Sequence, residues 1–114
     1  MLFRRLTLAI ELIGETNKSA MGTYTMSITN SIRNYKYLIL ARATLDNDMN
    51  LIGQINDIVT PDYFENNVLS LYIYDGTTGS IARRTFKLTY VDDNTASVYY
   101  PGAGVGKVQL YGLR

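Results

Sequence analysis

The side chains that could take part in chemistry in this chain are carboxylates and tyrosines. The sequence contains no histidine, cysteine or tryptophan among its 114 residues. Histidine is the side chain whose ordinary pKa is nearest neutrality, and it is the usual base beside a catalytic nucleophile. Reactions that depend on histidine or cysteine are therefore excluded, which leaves the carboxylates as candidates for acid–base catalysis.

Glycoside hydrolysis is a reaction that two carboxylates can catalyse alone, provided that they are held at a fixed separation. The sequence gives no reason to pair any two of the available acids, and most of them lie beside turns, where they favour solubility. We therefore expect a protein without catalytic residues, and keep a polysaccharide-degrading fragment as a third hypothesis. The acids considered are Glu11, Glu15, Asp57, Asp62 and Glu65.

A glycine-rich loop at residues 101–107 has the composition of a phosphate-binding loop but not its spacing. Pro101 stands where the motif requires its first glycine, and Val108 stands where Ser or Thr would bind magnesium. No helical pattern follows that could direct an N-terminus at an anion. We interpret the segment as a hairpin loop and expect no cofactor there.

Three oxygen-bearing side chains, Asp46, Asp48 and Asn50, have the first three ligand spacings of a calcium loop. Leu51 replaces the glycine that makes the sharp turn of such a loop, and Asp57 replaces the closing glutamate. A solvated turn is the favoured interpretation, and no metal site is expected.

Ten tyrosines are the unusual feature of the composition. A tyrosine ring offers a flat apolar surface with a polar tip, which suits contact with sugars or with another protein. The other interpretation is that tyrosine pairs across neighbouring strands stabilise a sheet. The candidate ligand-binding residues are Tyr72 and Tyr74, which alternate on one strand, and Tyr99 and Tyr100, which precede the glycine-rich loop.

Length and composition predict a single folded domain over residues 1–114. Hydrophobic residues make up 46% of the chain and charged residues 18%, which is typical of a packed core and not of disorder. The formal net charge of +1 does not favour nucleic-acid binding. No apolar stretch reaches the length needed to cross a bilayer, so we expect no membrane insertion.

The elements that must position these side chains are predicted to be short strands. Residues 35–43 form an apolar run without strict alternation, which predicts a central strand covered on both faces. Residues 6–13 predict a first strand instead of a secretory signal because Glu11 interrupts the apolar stretch. Residues 14–22 predict a loop between glycines, and residues 23–29 alternate as a second strand.

The second half of the chain alternates more regularly. Residues 51–59 predict a bent strand, and Thr60 with Pro61 predicts the start of a short helix. Four further strands follow, separated by turns at residues 75–79, 92–94 and 101–106. Their positions are residues 68–74, 83–90, 95–100 and 107–111. About eight short strands without a long helix predict an all-β fold, a jelly-roll-like antiparallel β-sandwich.

Two segments carry a resemblance to a known family. Residues 31–40 (Ser-Ile-Arg-Asn-Tyr-Lys-Tyr-Leu-Ile-Leu) resemble the opening of small β-sandwich domains in tailed-bacteriophage fibres, spikes and other virion appendages. Residues 108–113 (Val-Gln-Leu-Tyr-Gly-Leu) resemble the short last strand of such domains. The resemblance implies a virion structural protein of tail-fibre, head-fibre or spike type, and it transfers no binding residue.

The expectation that follows is a non-catalytic protein that acts by assembly and attachment. The resemblance implies a homo-oligomer, expected to be a trimer, which contacts other virion proteins and a host-surface glycan. Such a chain is made in the host cytoplasm and located in the virion. The alternative hypothesis is a stand-alone carbohydrate-binding β-sandwich module that uses Tyr72, Tyr74, Tyr99 or Tyr100.

Overall fold

Two four-stranded antiparallel sheets, packed face to face, form the fold in a computed structural model. The structure describes residues 10–18, 20–43, 55–75, 80–101 and 106–114, with the backbone alone at 42–43, 55–56, 71–75, 80–85 and 106. The strands are β1 (Ile10–Lys18), β2 (Gly22–Ser27), β3 (Tyr37–Ala43), β4 (Ile55–Val59), β5 (Leu69–Asp75), β6 (Ser80–Asp92), β7 (Thr95–Tyr100) and β8 (Gly106–Leu113).

The strand order interleaves the two ends of the chain. The first sheet has the order β1-β8-β3-β4 and the second has the order β2-β7-β6-β5. All the pairings between neighbours are antiparallel. The predicted all-β, jelly-roll-like sandwich of about eight short strands is therefore confirmed.

The central position predicted for the apolar run at residues 35–43 is also confirmed. β3 lies between β8 and β4, and its residues 38–41 are buried. Leu38 and Leu40 belong to the core between the sheets, whereas Ile39 alternates to the outer side, where it is 6% exposed. Tyr37 on that same outer side is 45% exposed, so the predicted cover on both faces of β3 is incomplete, and the strand begins at Tyr37, two residues later than predicted.

The prediction for the first strand is wrong in its end point. β1 continues through Glu15 and Thr16 to Lys18, where the sequence predicted a loop. The register shows a β-bulge, since Leu12 pairs with Tyr111 and Gly14 pairs with Leu110, which leaves Ile13 as an extra residue. Polar residues at 15–18 suit this edge strand because one of its sides faces water.

The bulge places Ile13 in the core and leaves its carbonyl outside the ladder. Ile13 is 1% exposed, whereas Leu12 beside it is 47% exposed. The freed carbonyl accepts the backbone N–H of Thr29 at 2.8 Å, which ties β1 to the end of β2 in the other sheet. The bulge therefore changes which face of the strand is buried and also links the two sheets.

One short helix, α1 (Pro61–Asn66), connects the sheets, as the sequence predicted. Thr60 is its N-cap, and its hydroxyl accepts the backbone N–H of Tyr63 at 3.1 Å. Phe64 is fully buried and lies edge-on to Tyr90 of β6, with ring centroids 5.8 Å apart. Phe64, together with the buried Pro61, thus anchors an element too short to be stable alone.

The regular alternation of the later strands agrees with the burial of the described side chains. Phe86 and Leu88 face the core, Tyr90 packs against it, and Lys87 and Thr89 are exposed. Val108 and Leu110 are fully buried in β8, which extends to Leu113. The predictions on residues 1–9, 44–54, 76–79 and 102–105 lie outside the described residues.

Candidate functional site

Glu11, Tyr35 and Arg114 form a hydrogen-bonded cluster at one end of the sandwich, the end cluster. The Tyr35 hydroxyl donates to Glu11 Oε2 at 2.6 Å and accepts from Asn30 Nδ2 at 3.1 Å. Arg114 Nε donates to the other oxygen, Glu11 Oε1, at 2.8 Å, and its guanidinium carbon lies 5.2 Å from the Tyr35 ring centroid. The cluster joins β1, the end of β8 and the segment before β3.

The electrostatics of the end cluster favour the ionised form of the Glu11 carboxylate. The hydrogen bonds from Arg114 and then from Tyr35 lower the pKa of Glu11. Burial, and next the hydrogen bond to Glu11, raise the pKa of Tyr35. A general acid in glycoside hydrolysis needs a carboxyl whose pKa is raised, so Glu11 has the opposite property.

A second cluster centres on Arg33, at the short 3₁₀ turn Ile32–Asn34. Its guanidinium contacts the carboxylates of Asp62 and Glu65 on α1, and its Nε lies 3.7 Å from Asp93 Oδ1. Asp93 also accepts from the Tyr90 hydroxyl at 2.7 Å. These contacts connect the 3₁₀ turn, the helix and the turn between β6 and β7, which is a structural role.

The remaining carboxylates proposed from the sequence also have local partners. Glu15 accepts from Gln109 Nε2 at 2.8 Å and lies 3.7 Å from Lys107 Nζ. Asp57 accepts the backbone N–H of Ile58 at 3.0 Å. The structure brings Asp62 and Glu65 together on one arginine, so that the positive charge lies between them and compensates both. This is the geometry of an ion-pair network rather than of an acid and a base flanking a substrate.

The four tyrosines proposed as ligand-binding residues do not share one surface. Tyr99 is 37% exposed on the outer side of β7, whereas Tyr100 is 1% exposed and packs edge-on to Tyr24 and Phe86. The Tyr100 hydroxyl donates within the core to the Thr16 carbonyl at 2.8 Å. Tyr100, a candidate ligand-binding residue in the sequence, is therefore a core residue, because adjacent residues of a strand point to opposite faces.

Tyr72 and Tyr74 lie on β5, as predicted, but their side chains are outside what the structure describes. Their backbones pair with Thr85 and Ile81 of β6, and the register shifts between Tyr72 and Ile73. Their exposure therefore stays a prediction.

Exposed apolar side chains lie together on the outer side of the first sheet, in a region named here the apolar face. The register aligns its side chains in two rows across the strands. Several are well exposed, with values of 53% at Ile10, 47% at Leu12, 45% at Tyr37 and 55% at Ile58. The first row contains Ile10, Leu113 and Tyr37, and the second contains Leu12, Tyr111, Ile39 and Ile58.

A polar margin borders the apolar face on the same side of the sheet. The next rows bring together Glu15, Gln109 and Lys107. The Tyr111 hydroxyl donates to Gln109 Oε1 at 3.0 Å, which connects the apolar rows to this margin. Burial, together with the charge of Glu15, raises the pKa of Tyr111 and keeps this hydroxyl protonated as a donor.

The outer side of the second sheet has the opposite character. Its aligned rows carry small hydroxyl side chains, lysine and Tyr99. We name it the hydroxyl face, and its described residues include Thr23, Thr25, Ser27, Ser70, Lys87, Thr89, Thr95, Ser97 and Tyr99, while Val91 is an exposed apolar residue of the same sheet. The sandwich thus has one apolar and one polar outer surface.

Three further observations concern only the described parts of the chain. No group of three or more acidic side chains there has the arrangement of a metal site. No helix among these residues has the length and hydropathy of a membrane span. The acids of the two clusters contact arginine, tyrosine or the Ser31 hydroxyl.

Comparisons with known proteins return no relatives. No protein-family model matches the chain, and neither the curated proteins nor the solved structures contain a match.

The apolar face is the feature that sequence reasoning missed. The signal was present in β8, where Tyr111 and Leu113 alternate with the inward-facing Val108 and Leu110, so that both faces of the strand are apolar. The same signal in β3 was interpreted as coverage on both sides. The strand register was needed to recognise that this face is uncovered, because it places Tyr111 beside Leu12 and Ile39 beside Ile58.

Proposed function

We propose that the protein is a structural component of a bacteriophage virion, a fibre- or spike-type domain that acts by assembly and by host-surface attachment without catalysis. The observation that carries the proposal is the contrast between the apolar face and the hydroxyl face. A large exposed apolar patch marks a site of contact with another surface, whereas a polar sheet face can remain in water. A protein with both is suited to being a subunit.

The sequence resemblance at residues 31–40 and 108–113 supports a virion appendage as the assembly to which this subunit belongs. Both segments lie in the first sheet or lead into it, since residues 37–43 form β3 and residues 106–113 form β8. We propose a homo-oligomer, with three copies as the expected number, that contacts other virion proteins. The proposed location is the virion, after synthesis in the host cytoplasm.

Mass spectrometry of purified particles tests the virion role. We expect peptides of this chain to copurify with infectious particles through a density gradient and to be absent from a gradient of uninfected lysate. Particles without the chain would overturn the assignment.

Attachment to a glycan is proposed for the hydroxyl face, because Tyr99 offers an exposed ring among hydroxyl groups. Rings of this kind stack on sugars, while neighbouring hydroxyls and Lys87 can donate hydrogen bonds. Tyr99→Ala should abolish binding on a glycan array, whereas Tyr63→Ala on α1, where the tyrosine is 50% exposed, should preserve it. Equal binding by both variants would contradict a role for Tyr99.

The alternative function, a stand-alone carbohydrate-binding module, rests on the same exposed Tyr99. It differs in oligomeric state, because a module of this kind binds its glycan as a monomer. Glycan binding by a species of 12.8 kDa, the mass of one chain, would favour the module over the virion subunit.

A further inference from the structure

We infer that the apolar face is the surface through which copies of this chain associate. The inference names the partner for the assembly role proposed above and therefore rests on it. The starting point is that four aliphatic or aromatic side chains, Ile10, Leu12, Tyr37 and Ile58, are each about half exposed on one sheet.

The outer side of the first sheet, with its apolar rows and polar margin together, has the size of a small protein–protein contact. Strands about 4.8 Å apart that rise about 3.4 Å per residue give a four-stranded sheet roughly 19 Å wide and, over the length of β8, roughly 27 Å long. This corresponds to a flat area on the order of 500 Å², of which the two apolar rows cover roughly half, and a standard interface buries about 800 Å² on each partner.

The composition of the face is that of an interface centre with a polar rim. Ile39, the best-buried side chain of the two rows, has Tyr111 on one side and Ile58 on the other in register. Glu15, Gln109 and Lys107 form the polar margin beyond it. Apolar and tyrosine side chains at the centre with paired polar groups at the edge are typical of association surfaces.

The charges on the margin are compatible with a copy of the same chain as partner. Glu15 and Lys107 compensate each other at 3.7 Å, so identical margins meet without like-charge repulsion. An anionic membrane would favour a surplus of basic side chains, and a glycan would favour hydrogen-bonding groups at the centre. The face offers neither, whereas the same face of further copies matches it in polarity, and three copies can turn it toward a common axis.

The test is the mass of the purified chain, measured by light scattering after size exclusion from low to high micromolar concentration. We expect a mass above the 12.8 kDa of one chain that increases with concentration, and its limiting value gives the number of copies. Ile58→Lys and, separately, Leu12→Lys should weaken self-association at least tenfold, since each would bury an unpaired ammonium group.

Val91→Lys is the matched control, because Val91 is as exposed as Ile58, at 55%, but lies on β6 of the second sheet. This variant should associate as the wild type does. Circular dichroism checks that each variant is folded. We expect all three variants to fold, because the substituted side chains are exposed in the wild type.

A monomer at every concentration would overturn the inference, and so would an oligomer that is insensitive to both face variants. These results are distinguishable from failure of the virion assignment. Absence of the chain from particles would remove the virion role. If Ile58→Lys and Leu12→Lys weaken self-association and Val91→Lys does not, the association surface is still identified.

Discussion

At position 112 the backbone of β8 runs directly beneath the ring of Tyr35. A Cβ atom added to Gly112 would lie 2.5 Å from Tyr35 Cδ1 and 2.6 Å from its Cγ, closer than such atoms approach. Gly112→Ala must therefore displace a ring that is 4% exposed and holds the hydrogen bond to Glu11. We expect a loss of roughly 1–3 kcal/mol in the free energy of unfolding, measured by urea denaturation.

Gly14→Ala is the matched comparison for that substitution. Its added Cβ would meet Met26 Sδ at 2.6 Å, but a methionine side chain can change rotamer where an aromatic ring held at both ends cannot. We expect the smaller loss at Gly14. Equal or reversed losses would show that the Tyr35 ring is not fixed as the contacts indicate.

The ionised state of Glu11 should be visible in the pH dependence of stability. The pKa of Glu11 is lower in the folded state than its ordinary value of about 4.5. The contribution of Glu11 to the free energy of unfolding is therefore complete above that value and is lost as the pH falls through the folded pKa. Glu11→Gln should therefore be less stable than wild type near neutral pH, and the difference should shrink in acid. Urea unfolding at a series of pH values measures it, and a difference independent of pH would contradict the prediction.

At the level of elements, α1 depends on its cap and on one buried ring. Thr60→Ala removes the hydroxyl that accepts the Tyr63 N–H, and should lower the free energy of unfolding by about 1 kcal/mol. Thr60→Ser keeps an equivalent acceptor and should retain most of the stability. Thermal unfolding of the three proteins tests this, and equal losses for alanine and serine would assign the effect to the lost methyl group instead.

The elements also show what sequence patterns can and cannot predict. Alternation located β2, β6, β7 and β8, because their inward side chains repeat with period two and their turns contain glycine, Asp or Asn. It did not locate the end of β1, where the bulge at Ile13 changes the phase and polar residues continue along a sheet edge. A bulge depends on the partner strand, which local pattern does not contain.

At the level of the whole molecule, the composition predicts a broad stability plateau. The chain has no histidine or cysteine, so no side chain has an ordinary pKa between about pH 6 and pH 9. The free energy of unfolding should therefore be nearly constant over that interval, as urea denaturation can measure. A maximum or a step within it would contradict the prediction.

Above the plateau, stability should be lost through the tyrosines. Burial raises the pKa of Tyr35, Tyr100 and Tyr111, and the hydrogen bond to Asp93 raises that of Tyr90. Because the pKa of each of these tyrosines is higher in the folded state, its contribution to the free energy of unfolding is complete below about pH 10. The contribution is lost as the pH rises through the pKa of the folded state. Tyrosinate absorbance should therefore increase together with unfolding, and ionisation without unfolding would contradict the burial of these rings.

The candidate site is a property of the whole molecule, which explains why the sequence predicted so little of it. The apolar face combines residues from both ends of the chain, such as Leu12 and Tyr111, with Ile39 and Ile58 from its middle. Neighbouring tyrosines such as Tyr99 and Tyr100 could be assigned to opposite faces by period two alone. Which of the two faces solvent, and whether anything covers the other sheet, depends on the packing of the layers.

The place of β8 between β1 and β3 has a consequence for synthesis on the ribosome. Ile10 pairs with Leu113, so β1 must wait until β8 has been translated before its ladder can form. Until then β1 and β3 have open edges that could pair with other nascent chains. Folding of the first sheet is expected only after β8 has left the ribosome, at the slow rates of proteins rich in distant contacts, which makes chaperone supply a determinant of yield.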